Sequence, residues 1–216
     1  MGVSVEQALA DLVEVMDRLR SPGGCPWDAE QTPESLVQYA IEEVFEVAEA
    51  VETGDREALR EELGDLLLQV VFQARVATEH PTEPFDLGDV AAGIAEKLRR
   101  RHPHVFADAQ VRDAEHVSQR WDEIKQTEKA RTSVLDGVPA AMPALARAQK
   151  VLGRVDRAGI AAQAAPAPVT PADEVGADLL AAVARASAVG VDAEGALRAA
   201  VRALEERVRA AESDAH

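Results

Sequence analysis

Apolar positions recur at helical spacing along almost the whole chain, and no alternating segment bounded by hairpin turns reads as a strand. The pattern predicts an all-α protein. A first helix is expected from about Ser4 to Arg20, stopped by Ser21-Pro22-Gly23-Gly24, with Pro26 extending the break into a loop that reaches Gln31. Thr32 is then a good N-cap and Pro33 suits the first helical position of a helix ending near Thr53-Gly54. Asp55 caps the next, which runs to about Glu79. His80-Pro81 and Pro84 close it; a fourth helix starts near Asp86 and stops before His102-Pro103-His104, and a fifth covers roughly Asp113 to Lys129.

The helix opened by Thr32 carries Val37, Ile41, Val44, Val47 and Val51 as one stripe, with Glu42, Glu43, Glu46 and Glu49 crowded onto the opposite side. Such like-charge pairs each cost about 0.2–0.5 kcal/mol, and no Lys or Arg interleaves to offset them. A solvated face is one reading of this. The next helix supplies another, because it is apolar on two sides: Leu59, Leu63, Leu66, Val70 and Ala74 make its main stripe, and Leu68, Phe72 and Val76 a second. Glu62 and Asp65 begin the face that becomes Phe72 two turns later, so they are expected to point into a packed surface. Buried carboxylates are costly without compensation, which favours proton uptake or bound cations. A short turn at Gly54-Asp55 makes the two helices antiparallel neighbours, and Glu43, Glu46, Glu62 and Asp65 then converge. Hard oxygen ligands suit magnesium, with calcium and manganese also open; neither acidic helix has the Glu-x-x-His pair of a di-iron bundle.

Charge narrows the partners. Thirty-nine acids against 23 bases leave a net charge of −16, a repulsive average field for any long polyanion, so nucleic acid is a poor partner. A triphosphate would need local rescue by metal ions or clustered bases. The single cysteine, Cys25, makes no internal disulfide and fits a reduced cytoplasmic setting. The first turns carry Glu6, Asp11, Glu14 and Asp17 rather than a basic start and an apolar run, so neither a signal peptide nor a membrane span is expected.

After Lys129 the texture changes, with Pro139 and Pro143 and then an Ala/Pro-rich stretch from Ala161 to Pro171 that looks like a linker. The expected division is a helical domain over 1–159, a linker over 160–172, and two further helices in 173–216, about Asp173 to Ala188 and Ala193 to Ala211. Val175-Gly-Ala-Asp178-Leu-Leu faintly echoes Glu62-Leu-Gly-Asp65-Leu-Leu, as a repeat or a coincidence would.

Glu42-Glu43-Val-Phe-Glu46 followed by Glu62-Leu-Gly-Asp65 resembles the MazG family of nucleoside triphosphate pyrophosphohydrolases, within the all-α NTP pyrophosphatase superfamily. Gly24-Cys-Pro-Trp27-Asp28, Arg99-Arg-Arg-His102-Pro-His-Val-Phe106, Trp121-Asp-Glu-Ile-Lys125 and Leu145-Ala-Arg-Ala-Gln-Lys150 resemble its other landmarks in the same order, over about residues 5 to 160. The resemblance implies an antiparallel helical bundle, assembled as a dimer or higher oligomer, that converts NTPs or dNTPs to the monophosphate and pyrophosphate with magnesium, or manganese in its place. It implies Glu43, Glu46, Glu62 and Asp65 as metal ligands and Glu42 as a further acid of the catalytic motif or a neighbour of the ligands. Lys97 and Arg101, one turn apart, are a basic helix end by spacing alone and a phosphate contact by resemblance. Trp121 and Lys125 repeat that spacing, with an aromatic able to stack on a base and an ammonium able to meet a phosphate. Trp27 is expected to be structural or a lid contact, and His102 and His104 to serve packing and capping. Residues 173–216 resemble the tail of a second copy of the domain, with Val175 where an acid is expected. A non-catalytic nucleotide- or cation-binding regulatory bundle is the alternative function.

Overall fold

The computed structural model describes residues 2–107, 113, 117, 132–160 and 169–214. Among them every regular element is a helix: α1 (Val5–Arg20), the short α2 (Pro26–Glu30), α3 (Pro33–Thr53), α4 (Arg56–Ala77), α5 (Leu87–Arg101), the single turn α6 (Pro103–Phe106), α7 (Ala144–Arg157), α8 (Pro171–Ala188) and α9 (Ala193–Asp214). Of the expected fifth helix over Asp113 to Lys129 only Asp113 and Val117 are among the described residues, and most of the expected linker lies outside them. No helix among those described is long and apolar enough to cross a membrane.

The helix ends follow from local chemistry. Thr32 and Ser35 cap α3 reciprocally: the Thr32 side chain accepts the Ser35 N–H and the Ser35 hydroxyl oxygen accepts the Thr32 N–H. Gly54 ends it at φ 73°, a left-handed conformation that glycine adopts without steric cost. Asp55 immediately accepts the N–H groups of Glu57 and Ala58 to open α4. A stop and a start thus share two residues, and α3 and α4 pack side by side as an antiparallel pair. Near the far end of the pair the Gln73 Nε2 donates to the Pro33 carbonyl at 3.0 Å.

The chain forms two compact units, Met1–Trp121 and Asp122–His216. In the first, Met16, Leu36, Val71, Phe72 and Val76 make the core, with Leu12, Tyr39, Leu68 and Leu87 packed against it. In the second, α7 packs on α8 and α9. The Gln149 amide donates to the Val191 carbonyl and accepts the Ala193 N–H, and Glu194 accepts the Ala146 N–H. The composition change near Gly159 therefore falls inside the second unit, since α7 precedes it and belongs with the helices that follow.

Two features differ from the sequence pattern. The expected loop before Gln31 contains α2, with Pro26 at its first position and Arg20 donating to the carbonyls of Asp28 and Gln31. The larger difference is which stripes are buried. Val37, Ile41, Val44 and Val51 of α3 and Leu63 and Val70 of α4 are exposed and Leu59 and Leu66 half-buried, while Leu36 and Ala50 of α3 and Phe72, Ala74 and Val76 of α4 are buried. The acid-bearing faces turn inward, toward each other. Periodicity locates stripes, but which of two stripes meets the neighbouring helix is set by packing against α1 and across the Gly54-Asp55 turn.

Candidate metal centre

Along α3, Leu36, Tyr39, Glu43, Glu46 and Ala50 recur at steps of three and four; along α4, Glu62, Asp65, Gln69, Phe72 and Val76 do the same. Each series makes one face. With the helices antiparallel, the acids fall near one end of the pair and the apolar and aromatic residues toward the other. One carboxylate oxygen each from Glu43, Glu62 and Asp65 lies within 4.8 Å of the others, and all three side chains are partly buried. Of the five acids expected at the site, these three converge. Glu46 is exposed but is among the groups that raise the Glu43 carboxyl, and Glu42 is exposed one residue round the helix from the trio.

The arrangement is electrostatically tense. Removal from water, then the hydrogen bond with Glu46, then the charges of Asp65, Glu46 and Glu62 hold the Glu43 carboxyl above its ordinary range. Glu62 is raised in the same direction by loss of hydration and by Glu46, Glu61 and Asp65. A divalent cation held by these carboxylates would relieve both strains at once, since it would supply the opposite charge and replace the lost hydration. Every donor is a hard oxygen, the set that magnesium and its neighbours prefer.

Lys97 and Arg101 stand one turn apart on α5, the helix that packs on α4; Lys97 is partly exposed and Arg101 only 8% exposed. Trp121 and Lys125 lie outside the described residues. The His102 Nδ1 sits 2.7 Å from the Leu98 carbonyl and the ring is 5.6 Å from His104, in keeping with capping and packing. Trp27 is 49% exposed, and its ring meets Tyr39 edge-on at 5.8 Å and Phe72 at 6.4 Å. Tyr39 and Gln69 join the inward faces unforeseen from the pattern. For Gln69 a signal was present: it is the lone polar residue in Leu66-Leu-Leu-Gln-Val-Val-Phe72.

Residues 31–106 match the family model described as the MazG nucleotide pyrophosphohydrolase domain. Over 205 residues the chain is 49% identical to an uncharacterized 26.1 kDa protein of Streptomyces cacaoi, a match covering 94% of this chain and 82% of that one. The chain belongs to the MazG family. It is also similar to two nucleoside triphosphate pyrophosphohydrolases. That of Mycolicibacterium smegmatis is 43% identical, over 96% of this chain and 60% of the relative. That of Escherichia coli K12 is 48% identical, over 68% of this chain and 57% of the relative. The chain thus spans less than two thirds of the length of these two. The MazG match contains the acids of α3 and α4 together with Lys97 and Arg101, and ends before Trp121 and Lys125.

Proposed function

We propose that this chain hydrolyses nucleoside and deoxynucleoside triphosphates to the monophosphate and pyrophosphate, with magnesium, or manganese in its place, as the metal. The observation that carries the reading is the convergence of Glu43, Glu62 and Asp65 oxygens within 4.8 Å between two antiparallel helices. Bound magnesium would offset the charge of the triphosphate and acidify water beside it. Glu43, Glu46, Glu62 and Asp65 are its ligands in this reading, with Glu42 adjoining them. Water oxygen bonds to phosphorus as the anhydride bridge to pyrophosphate breaks, and pyrophosphate leaves with the electron pair. The water proton passes to a carboxylate of the cluster, in which Glu43 and Glu62 are kept basic by loss of hydration and by neighbouring charge. Lys97 and Arg101 meet phosphate oxygens, and Trp121 and Lys125 the base and a phosphate.

Further assignments accompany this one. The exposed apolar stripes of α3 and α4 are covered in a homodimer. Residues 1–159 carry the activity, and α8 and α9 are a degenerate second copy in which Asp178 stands without its acidic partners. The lone Cys25 suits the cytoplasm.

Pyrophosphate release from a panel of NTPs and dNTPs tests the reading. Wild-type protein with magnesium is expected to give one pyrophosphate per monophosphate, and Asp65→Asn or Glu43→Gln to lower the rate on the order of a hundredfold or more. Tight binding of a non-hydrolysable triphosphate without any pyrophosphate release would instead make the chain a nucleotide-binding bundle.

A further inference from the structure

Gln69 is a buried polar residue, at 8% exposure, and its Oε1 has no hydrogen-bond partner. An amide oxygen withdrawn from water and left unpaired costs folding free energy, whereas leucine or methionine would fill the same space without that cost. Its neighbours in sequence, Leu68 and Val70, are apolar, so packing alone gives no reason for an amide here. Its position does give one. Gln69 lies one turn beyond Asp65 and three residues before Phe72 on the inward face of α4, about 6 Å along the axis from the first and about 4.5 Å from the second. On the α3 face, Tyr39 sits one turn before Glu43. The ring of Trp27 stands edge-on to both Tyr39 and Phe72 with half its surface exposed. The helix pair therefore grades from carboxylates, through one unpartnered acceptor, to aromatic rings.

Resting on the function proposed above, we propose that Gln69 reads the nucleoside of the substrate: its Oε1 accepts a hydrogen bond from a donor on the sugar or base. The order of groups on the helices matches the order of groups in the ligand. Cations on the carboxylates take the phosphates, and the nucleoside, joined to the α-phosphate, comes next. Ionised phosphate oxygens only accept hydrogen bonds, so an unpaired acceptor is no use to them. Sugar hydroxyls and base N–H groups are donors, and the half-exposed ring of Trp27, edge-on to Phe72 beyond Gln69, suits a planar base.

Isothermal titration of the full chain with magnesium tests this, comparing wild type, Gln69→Leu and Gln69→Met against a deoxynucleoside monophosphate and against inorganic tripolyphosphate, which has no nucleoside. Both variants are expected to bind the nucleotide roughly five- to a hundredfold more weakly, tripolyphosphate as well as wild type does, and to unfold without ligand at or above the wild-type midpoint. Unchanged nucleotide affinity overturns the proposal. So does an equal loss for nucleotide and tripolyphosphate, which would put the amide at the metal end, and so does a lowered midpoint in both variants, which would make it a folding group. A 2′,3′-dideoxynucleotide separates the donors: the penalty vanishes with it when the donor is a sugar hydroxyl and persists when it is on the base. Wild type that binds no nucleotide defeats the function itself; variants that match a binding wild type defeat only the role of Gln69.

Discussion

Arg20 and Glu79, 59 residues apart, form a bidentate ion pair, Nε to Oε1 and Nη2 to Oε2, each at 2.8 Å. The same guanidinium holds the carbonyls of Asp28 and Gln31, and Glu79 also receives Arg75, which reaches Asp17 at 2.7 Å. One buried side chain thus fastens α1, α2 and the end of α4, and with α2 the ring of Trp27. Arg20→Ala is expected to cost about 2 kcal/mol in chemical denaturation, the lower part of the range for a broken charged network because Glu79 is 46% exposed and screened. The Arg20 hydrogen bond leads the effects that hold the Glu79 carboxyl below its ordinary range. Its stabilisation is therefore full above that range and lost as pH falls through the depressed value. The gap between wild type and Glu79→Gln should be present at pH 7 and close in acid below the depressed value; a gap that persisted in strong acid would show that the charge is not responsible.

Gly54 places the two acidic helices side by side, and its φ of 73° is the reason for a glycine there. An added Cβ would meet no atom within 4 Å, so Gly54→Ala carries only the conformational penalty, about 1 kcal/mol. A thermal midpoint unchanged by the substitution would mean that the turn relaxes to another conformation.

Capping chemistry made the helix order and the α3–α4 turn readable from sequence, because Thr32-Pro33 and Gly54-Asp55 act through nearest neighbours. Of the four acids expected to converge, Glu43, Glu62 and Asp65 do, since Glu62 and Asp65 share a face with the buried Phe72, while Glu46 stays exposed. The outward stripes were not readable. Val37, Ile41 and Leu63 have the spacing of a core, and sequence cannot distinguish a surface covered by the same chain from one left for another. Gln69 escaped for a related reason: a single amide in an apolar run gains meaning only once its missing partner is seen.

The raised carboxyls give the site a pH signature. Glu43 and Glu62 bind protons more readily in the folded protein than in the unfolded one, so in metal-free protein their contribution is full below the ordinary glutamate value and lost as pH rises through the raised one. Metal-free wild type should therefore lose stability relative to Glu43→Gln between a pH below the ordinary glutamate range and one above the raised range. Magnesium must displace those protons, so its stabilisation should grow over the same interval, reaching about 2.7 kcal/mol at a hundredfold excess over its dissociation constant. Calorimetry with magnesium and with chelator at the two pH values measures this; an equal shift at both would detach the cation from these carboxylates.

The exposed stripes of α3 and α4 give the last expectation. Ile41 is 48% and Leu63 50% exposed, with Val37, Val44, Leu67 and Val70 continuing the same two surfaces. In an isolated protomer a lysine at either place costs little, within about 0.5 kcal/mol, because the side chain already faces water. In the proposed dimer the same lysine must be desolvated against the partner's apolar stripe, which costs much more. Ile41→Lys with Leu63→Lys should therefore convert a particle of twice 23.1 kDa into one of 23.1 kDa in light scattering, with helical circular dichroism retained. A wild type already monomeric, or a double variant still of doubled mass, would show that these stripes are not where two copies meet.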